Sequence, residues 1–326
     1  MKTPLILGID GGGTKTLCVA CNLEGEIMGV GTSGPSNHQA IPWEEAANAL
    51  VAAIDGSLTN YSRDSVVSVC GGMAGVDWPG SEKPIIHLLH NLFPQAKVMA
   101  VPDVAIALHS VIEELPGAII ISGTGTMGYG EDASGQEFRA SGWGYLLGDE
   151  GSGYDIGRRG LQAATQAFDG RGPDTRLVEY ACQYFAVDDL RHILDIVYGQ
   201  SWSPDRAGDF TPYVVRAAYE DDGVSHRLLE EAGEDLARNA LSVLEQMHAL
   251  KDPITVGLLG GVFAHAGSIL HDRFGEVLKS GAPQAKVVHS DCHPVLGALI
   301  MAYRRYNGDQ EEIFRQRAVG ELHRRL

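Results

Sequence analysis

Two short runs in this 326-residue chain place glycines where backbone N–H groups can meet a phosphate: Asp10-Gly-Gly-Gly-Thr-Lys-Thr16 and Ser122-Gly-Thr-Gly-Thr126. Three loop chemistries compete for them. A Walker A loop needs Gly-x4-Gly-Lys-Ser/Thr before a helix. Gly8 and Gly13 have that spacing, but Thr14 sits at the lysine position and strand-like sequence follows. A dinucleotide fingerprint appears at Gly123, Gly125 and Gly128, yet it runs into YGEDASGQEFRA, which has hairpin rather than helix chemistry. A second match at Gly29, Gly31 and Gly34 runs into Pro35. What remains is a β-hairpin phosphate loop. The N–H groups of Gly11, Gly12 and Gly13 and the Thr14 hydroxyl would face the β- and γ-phosphates, and Asp10 would hold Mg2+ through water. Gly123, Thr124 and Gly125 would do the same in the second half. Two ordinary glycine turns are the plain alternative, and the matched strand context of the two runs speaks against it.

Other residues carry weaker signals. Lys15 is a possible phosphate ligand, although a lysine in a strand after a hairpin usually points to solvent. His289, Asp291, Cys292 and His293 have metal-ligand chemistry. Neighbouring residues do not readily face one ion, however, and no second cluster completes a tetrahedron. Cys18 and Cys21 lie three apart on a strand, hence on opposite faces.

The elements that must position these groups alternate. Residues 4–10, 16–23 and 26–32 read as three strands of an antiparallel meander. A helix over 43–58 follows, then a strand at 66–70, a helix at 85–92, a strand at 97–101 and a helix after Asp103. The order strand, glycine turn, strand, turn, strand begins again at 118–122, 126–131 and 136–141. Residues 174–250 read as mostly helical, 254–259 and 285–288 as strands, and 294–306 as a closing helix. Two α/β domains around a cleft follow, 1–117 and 118–326.

Composition narrows the partners. A net charge of −17 argues against nucleic-acid or anionic-membrane surfaces, which need a basic face. No stretch approaches the length of a membrane span, and a carboxylate breaks the N-terminal apolar run too early for a secretion signal. Five scattered cysteines suit a reduced, cytoplasmic setting. At 41 residues, glycine is near double its usual share, as expected where backbone must approach a ligand.

Together with Gly142-Trp-Gly-Tyr-Leu-Leu-Gly-Asp-Glu-Gly-Ser-Gly153 and Leu259-Gly-Gly-Val-Phe263, the two glycine runs resemble the N-acetylglucosamine kinase branch of the actin/hexokinase/Hsp70 superfamily. That group also holds the BadF/BcrA-type ATPases, and the resemblance spans residues 5–303. It implies two ribonuclease-H-like, actin-like ATPase domains with mixed five-stranded sheets, closing on ATP and a sugar. Asp10, Gly11–Gly13 and Thr14 then fall in the first phosphate motif, Gly123 and Thr124 in the second. Gly260 and Gly261 form the turn against which adenosine lies. Asn37, Thr126, Met127, Gly142, Trp143, Gly144 and Asp149 fall where relatives contact the amino sugar, and Asp103 matches the catalytic carboxylate. Met127 stands where animal enzymes carry an asparagine, and Asp155 replaces a common tryptophan.

Phosphoryl transfer needs positioning and charge stabilisation more than covalent help. Asp103 would accept the proton of the sugar 6-hydroxyl, although an Asp directly before a helix also suits the N-cap. Asn37, Asp149 and Glu150 can read hydroxyls or serve their own turns, and Trp143 can stack on a pyranose or simply pack. The resulting expectation is an ATP- and Mg2+-dependent kinase of N-acetylglucosamine, with glucosamine or N-acetylmuramate as alternatives, acting as a homodimer. An ATPase activator of a dehydratase would need cluster-binding cysteines near the second motif, and 118–160 contains none. A repressor-type glucokinase would carry a cysteine-rich zinc motif, which is also missing from the sequence.

Overall fold

The computed structural model describes residues 3–199, 202–203, 205–307 and 309–326, which divide into two compact units. One comprises the chain up to Glu113 together with Asp291–Leu326; the other is Glu114–Ser290. The expected division at 117–118 thus lies close to the first crossing but omits a second, because the chain returns to the first unit after Ser290. Burial explains the return. The helix Val295–Asn307 sinks Val295, Leu296, Leu299 and Ile300 into one cluster with Ile6, Cys70 and Ile106. Periodicity shows that a helix is amphipathic but not which sheet it will cover.

In the first unit, strands β1 (Leu5–Gly11), β2 (Thr16–Asn22), β3 (Ile27–Ser33), β4 (Val66–Met73) and β5 (Lys97–Pro102) form one sheet in the order β3-β2-β1-β4-β5. The first three are the antiparallel meander, whereas β1, β4 and β5 run parallel. Being covered on both faces, β1 and β2 are almost wholly buried. Gly8 allows a close approach of the helix: a Cβ there would lie 2.8 Å from Leu299 Cγ. Cys18 and Cys21 do face opposite sides, each in a different apolar cluster.

The second unit repeats the plan. Strands β6 (Gly117–Ser122), β7 (Thr126–Glu131), β8 (Glu137–Ser141), β9 (Thr255–Leu259) and β10 (Lys286–His289) are ordered β8-β7-β6-β9-β10. Again the first three are antiparallel and β6, β9 and β10 parallel. Both sheets are therefore mixed and five-stranded, as the resemblance implied. The long helix Gly223–Gln246 starts where Asp222 accepts the Ser225 N–H, at 2.8 Å. It buries Leu229, Leu236, Ala240, Val243 and Leu244 in the core of this unit. Among the described residues, no helix is long and apolar enough to cross a membrane.

Candidate active site

Register brings the acidic residues of the first unit together. Gly11 pairs with Met73, and Met73 with Pro102, so three parallel strands end in one row. Asp10 lies just inside that row and Asp103 one step beyond it, at the carboxyl edge where α/β sheets bind ligands. Asp103 is the first residue of the helix Asp103–Val111, and Pro102 holds the cap position without a side-chain cap bond. The capping role thus does not fall to Asp103. Burial, reinforced by the Asp103 carboxylate and opposed by Lys15, pushes the Asp10 carboxyl up to about 6.

His293 completes this cluster. Its Nδ1 accepts the Val295 N–H at 3.2 Å and stands 3.8 Å from Asp10 Oδ2. Burial and Lys15 push its pKa below the usual histidine value, so at neutral pH it carries no charge to offset the carboxylates. Two carboxylates, Asp10 and Asp103, then influence each other with no histidine charge between them, an arrangement that a divalent cation with its waters satisfies. The residues present therefore fit Mg2+.

The hairpin tip is held from below and open above. Gly12 N–H bonds Lys15 O, and Gly12 O accepts the Ser36 N–H. Thr16 Oγ1 donates to Gly34 O and bonds Ser36 Oγ, each at 2.8 Å. Gly13, Thr14 and Lys15 are exposed. A Cβ at Gly13 would meet nothing within 4 Å, and its φ is not left-handed. The fold thus places no demand for glycine there, whereas a closely approaching phosphate would. Asn37 Oδ1 accepts the Gln39 N–H at 3.0 Å, so its carbonyl serves its own turn.

In the second unit, Gly123 and Gly260 follow the ends of adjacent parallel strands. Gly123 N–H bonds Gly125 O, and Gly123 O accepts the Gly153 N–H. Asp149, buried and at φ 65°, accepts the Thr126 N–H on Oδ1 at 3.0 Å. The carboxylate expected to read a sugar hydroxyl therefore also pins the second glycine turn. Thr126 Oγ1 is buried without an intramolecular partner, and so is Ser141 Oγ. Ser141 pairs with Met127 across β7–β8, so its side chain shares the face of Met127 rather than that of Thr126; the sequence reading did not name Ser141. Gly142 and Gly144 have left-handed φ. Between them Trp143 is 73% exposed, and Glu150 is exposed as well. Packing does not account for the indole.

Asp155 has a structural role. It accepts from Gly151 N–H and pairs with Arg158 and Arg159, each at 2.9 Å, while Arg159 also pairs with Asp235.

A cavity of about 790 Å3 opens beside this turn. Gly123, Thr124, Gly153 and Gly261 line one side of it; Pro212, Val215, Val262 and Ala266 give apolar walls, and Asp209, Arg216 and His265 polar ones. The segment 208–216 carries no motif, so the sequence reading missed it. Gly260 does not line the cavity. It caps the helix Gly261–His265 at φ 100°, where a Cβ would strike Ser122 O at 2.2 Å.

The family model of the BadF/BadG/BcrA/BcrD ATPases matches residues 7–302. The chain belongs to that family. Within or near it, the chain is 31% identical over 299 residues to the N-acetylmuramic acid/N-acetylglucosamine kinase of Clostridium acetobutylicum, covering 91% of this chain and 97% of that one. It is 28% identical over 317 residues to the N-acetyl-D-glucosamine kinase of Dictyostelium discoideum, covering 93% and 98%. Among solved structures, a structural-genomics target from Chromobacterium violaceum superposes with a TM-score of 0.69 at 23% identity, over 93% of this chain and all of that one. A ROK family glucokinase from Streptomyces griseus, solved with glucose and AMPPNP, gives 0.55 at 19%, over 92% and 99%. These likenesses place the BadF/BadG/BcrA/BcrD sequence on the actin-like ATPase fold.

Proposed function

We propose that this chain is an ATP-dependent amino-sugar kinase that phosphorylates the 6-hydroxyl of N-acetylglucosamine, with N-acetylmuramate and glucosamine the nearest alternative acceptors. The observation that carries the chemistry is the pair Asp10–Asp103 at the carboxyl edge of three parallel strands, beside a glycine hairpin whose tip is open. The relatives named as amino-sugar kinases support the choice of acceptor.

In this reading the sugar hydroxyl lies in line with the γ-phosphorus. Its oxygen forms the new P–O bond as the bond to the β-phosphate oxygen breaks, and its proton passes to Asp103. The Gly13 N–H at the open tip and the Thr14 hydroxyl hold phosphate oxygens, with Lys15 adding positive charge, while the Gly12 N–H closes the hairpin on Lys15 O. Mg2+, held through Asp10 when bound, neutralises charge on the phosphates. In the second unit Gly123 and Thr124 face phosphate. The cavity walled by Pro212, Val215, Val262 and Ala266 takes the purine, Gly261 lies against the nucleoside, and Asp209 and Arg216 reach the ribose. In the second unit the unpartnered Thr126 hydroxyl, with Asp149 and Trp143, supplies polar and stacking contacts for the sugar.

Coupled ADP release with Mg-ATP across N-acetylglucosamine, glucosamine, N-acetylmuramate, N-acetylmannosamine and glucose tests the proposal. The expected result is one amino sugar with the highest kcat/KM. Slow ATP hydrolysis indifferent to every sugar would overturn it.

A further inference from the structure

The fold brings a third donor to a pair of residues whose sequence neighbours alone form no metal site. The helix Glu311–Arg325 carries His323. Its ring meets the segment entering the first unit, with Nε2 3.9 Å from Asp291 Oδ1. Ligand atoms of Asp291, Cys292 and His323 all lie within 4.8 Å of one another. Beside them is a cavity of about 220 Å3, walled by Leu296, Val319, Leu322 and Leu326, with His293 also on its lining.

We propose that Asp291, Cys292 and His323 form a binding site for a single borderline-soft divalent cation of the Zn2+ type, separate from the Mg2+ position at Asp10. The donor set decides the class. One sulfur, one imidazole nitrogen and one carboxylate oxygen suit Zn2+, whereas Mg2+ and Ca2+ take oxygen ligands. A tetrahedral Zn2+ with bonds of about 2.0–2.3 Å needs these donors somewhat closer than they stand. The Asp291 side chain is 93% exposed and His323 is half-exposed, so both can swing inward without disturbing the core. The cavity beside them leaves room for water as a further ligand.

The buried guanidinium of Arg315, held by the carbonyls of His109, Ser110 and Ile112, lies near Cys292. Cys292 binds as the thiolate and releases its proton to solvent. The cation then ties the 291–292 segment to the C-terminal helix, one residue before the His293 that faces Asp10.

Co2+ is the probe, as a spectroscopic stand-in for Zn2+. It is titrated into the metal-free full chain with Mg2+ in excess to fill the site at Asp10. A thiolate-to-cobalt charge-transfer band that saturates at one equivalent and is bleached by Zn2+ is the expected result. Cys292→Ser should lose the band and Cys182→Ser keep it. His323→Ala should weaken Zn2+ binding by roughly tenfold or more, since even residues that only orient ligands cost that much. Circular dichroism of the metal-free variants checks that they are folded. A band that survives Cys292→Ser, Zn2+ affinity unchanged in His323→Ala, or no thiolate band in the parent protein would each overturn the site.

Discussion

The two glycine turns share one topology and differ in what they bring to it. The turn after β1 is charged: Asp10, Lys15, Asp103 and His293 influence one another there. The turn after β6 presents hydroxyls instead, and the carboxylate beside it, Asp149, is taken up by the Thr126 N–H. Their supports differ as well. The first rests on the hydroxyls of Thr16 and Ser36, the second on a long exposed loop that returns to it through Asp149 and Gly153. One duplicated plan thus carries charge at one turn and hydroxyls at the other, because each copy fills the space around its turn differently.

Variants can break this contrast. The largest effect is expected at Asp103. Asp103→Asn should keep Mg-ATP and sugar binding by calorimetry while kcat falls by about 10^2–10^4-fold; near-normal kcat would remove it as the base. Next comes Gly260→Ala, which puts a Cβ against Ser122 O at a left-handed φ. It should cost roughly 1–3 kcal/mol from strain alone, read as a lowered Tm. Asp149→Ala should follow, at about 1–3 kcal/mol for the orphaned Thr126 N–H. KM should rise for both substrates, and Asp149→Asn, which keeps an acceptor, should restore most of the loss.

Asp10 makes a prediction in pH. Its folded pKa, about 6, lies above the ordinary 3.8, so the folded nucleotide-free protein holds this proton more tightly than the unfolded chain. The associated stability is present below pH 3.8 and is lost as pH rises through about 6. Asp10→Asn should flatten that part of the Tm–pH curve and weaken Mg2+-dependent ATP binding; an unchanged curve would refute the assignment. The smallest change is Gly13→Ala. Because nothing surrounds that Cβ, Tm should stay put while KM for Mg-ATP rises, and the opposite pattern would make Gly13 a purely structural glycine.

Much of this organisation was legible along the chain, because hairpins are local. The strand–turn–strand openings at residues 5–33 and 117–141 are written in contiguous patterns, and strand ends dictate where Asp10 and Asp103 fall. Contacts between distant, unpatterned surfaces were not. Asp209, in a turn, and Arg216, on a helix, belong to a segment with no motif, and His323 reaches Asp291 across more than thirty residues. Nor can residue type reveal that Asn37 and Asp149 bond backbone N–H groups, or that Asp155 anchors two arginines. Those outcomes depend on loop geometry.

The return of the chain after Ser290 bears on how the protein is made. A ribosome delivers β1 to β5 long before the helix that covers Gly8 and Ile106. Until Val295–Asn307 emerges, this face of the first sheet has only the helix Asp103–Val111 over it and keeps apolar surface open to chaperones or to other nascent chains. A nonsense mutation near residue 290 would therefore spare every strand of both sheets, yet strip the older half of its cover and leave it for proteolysis.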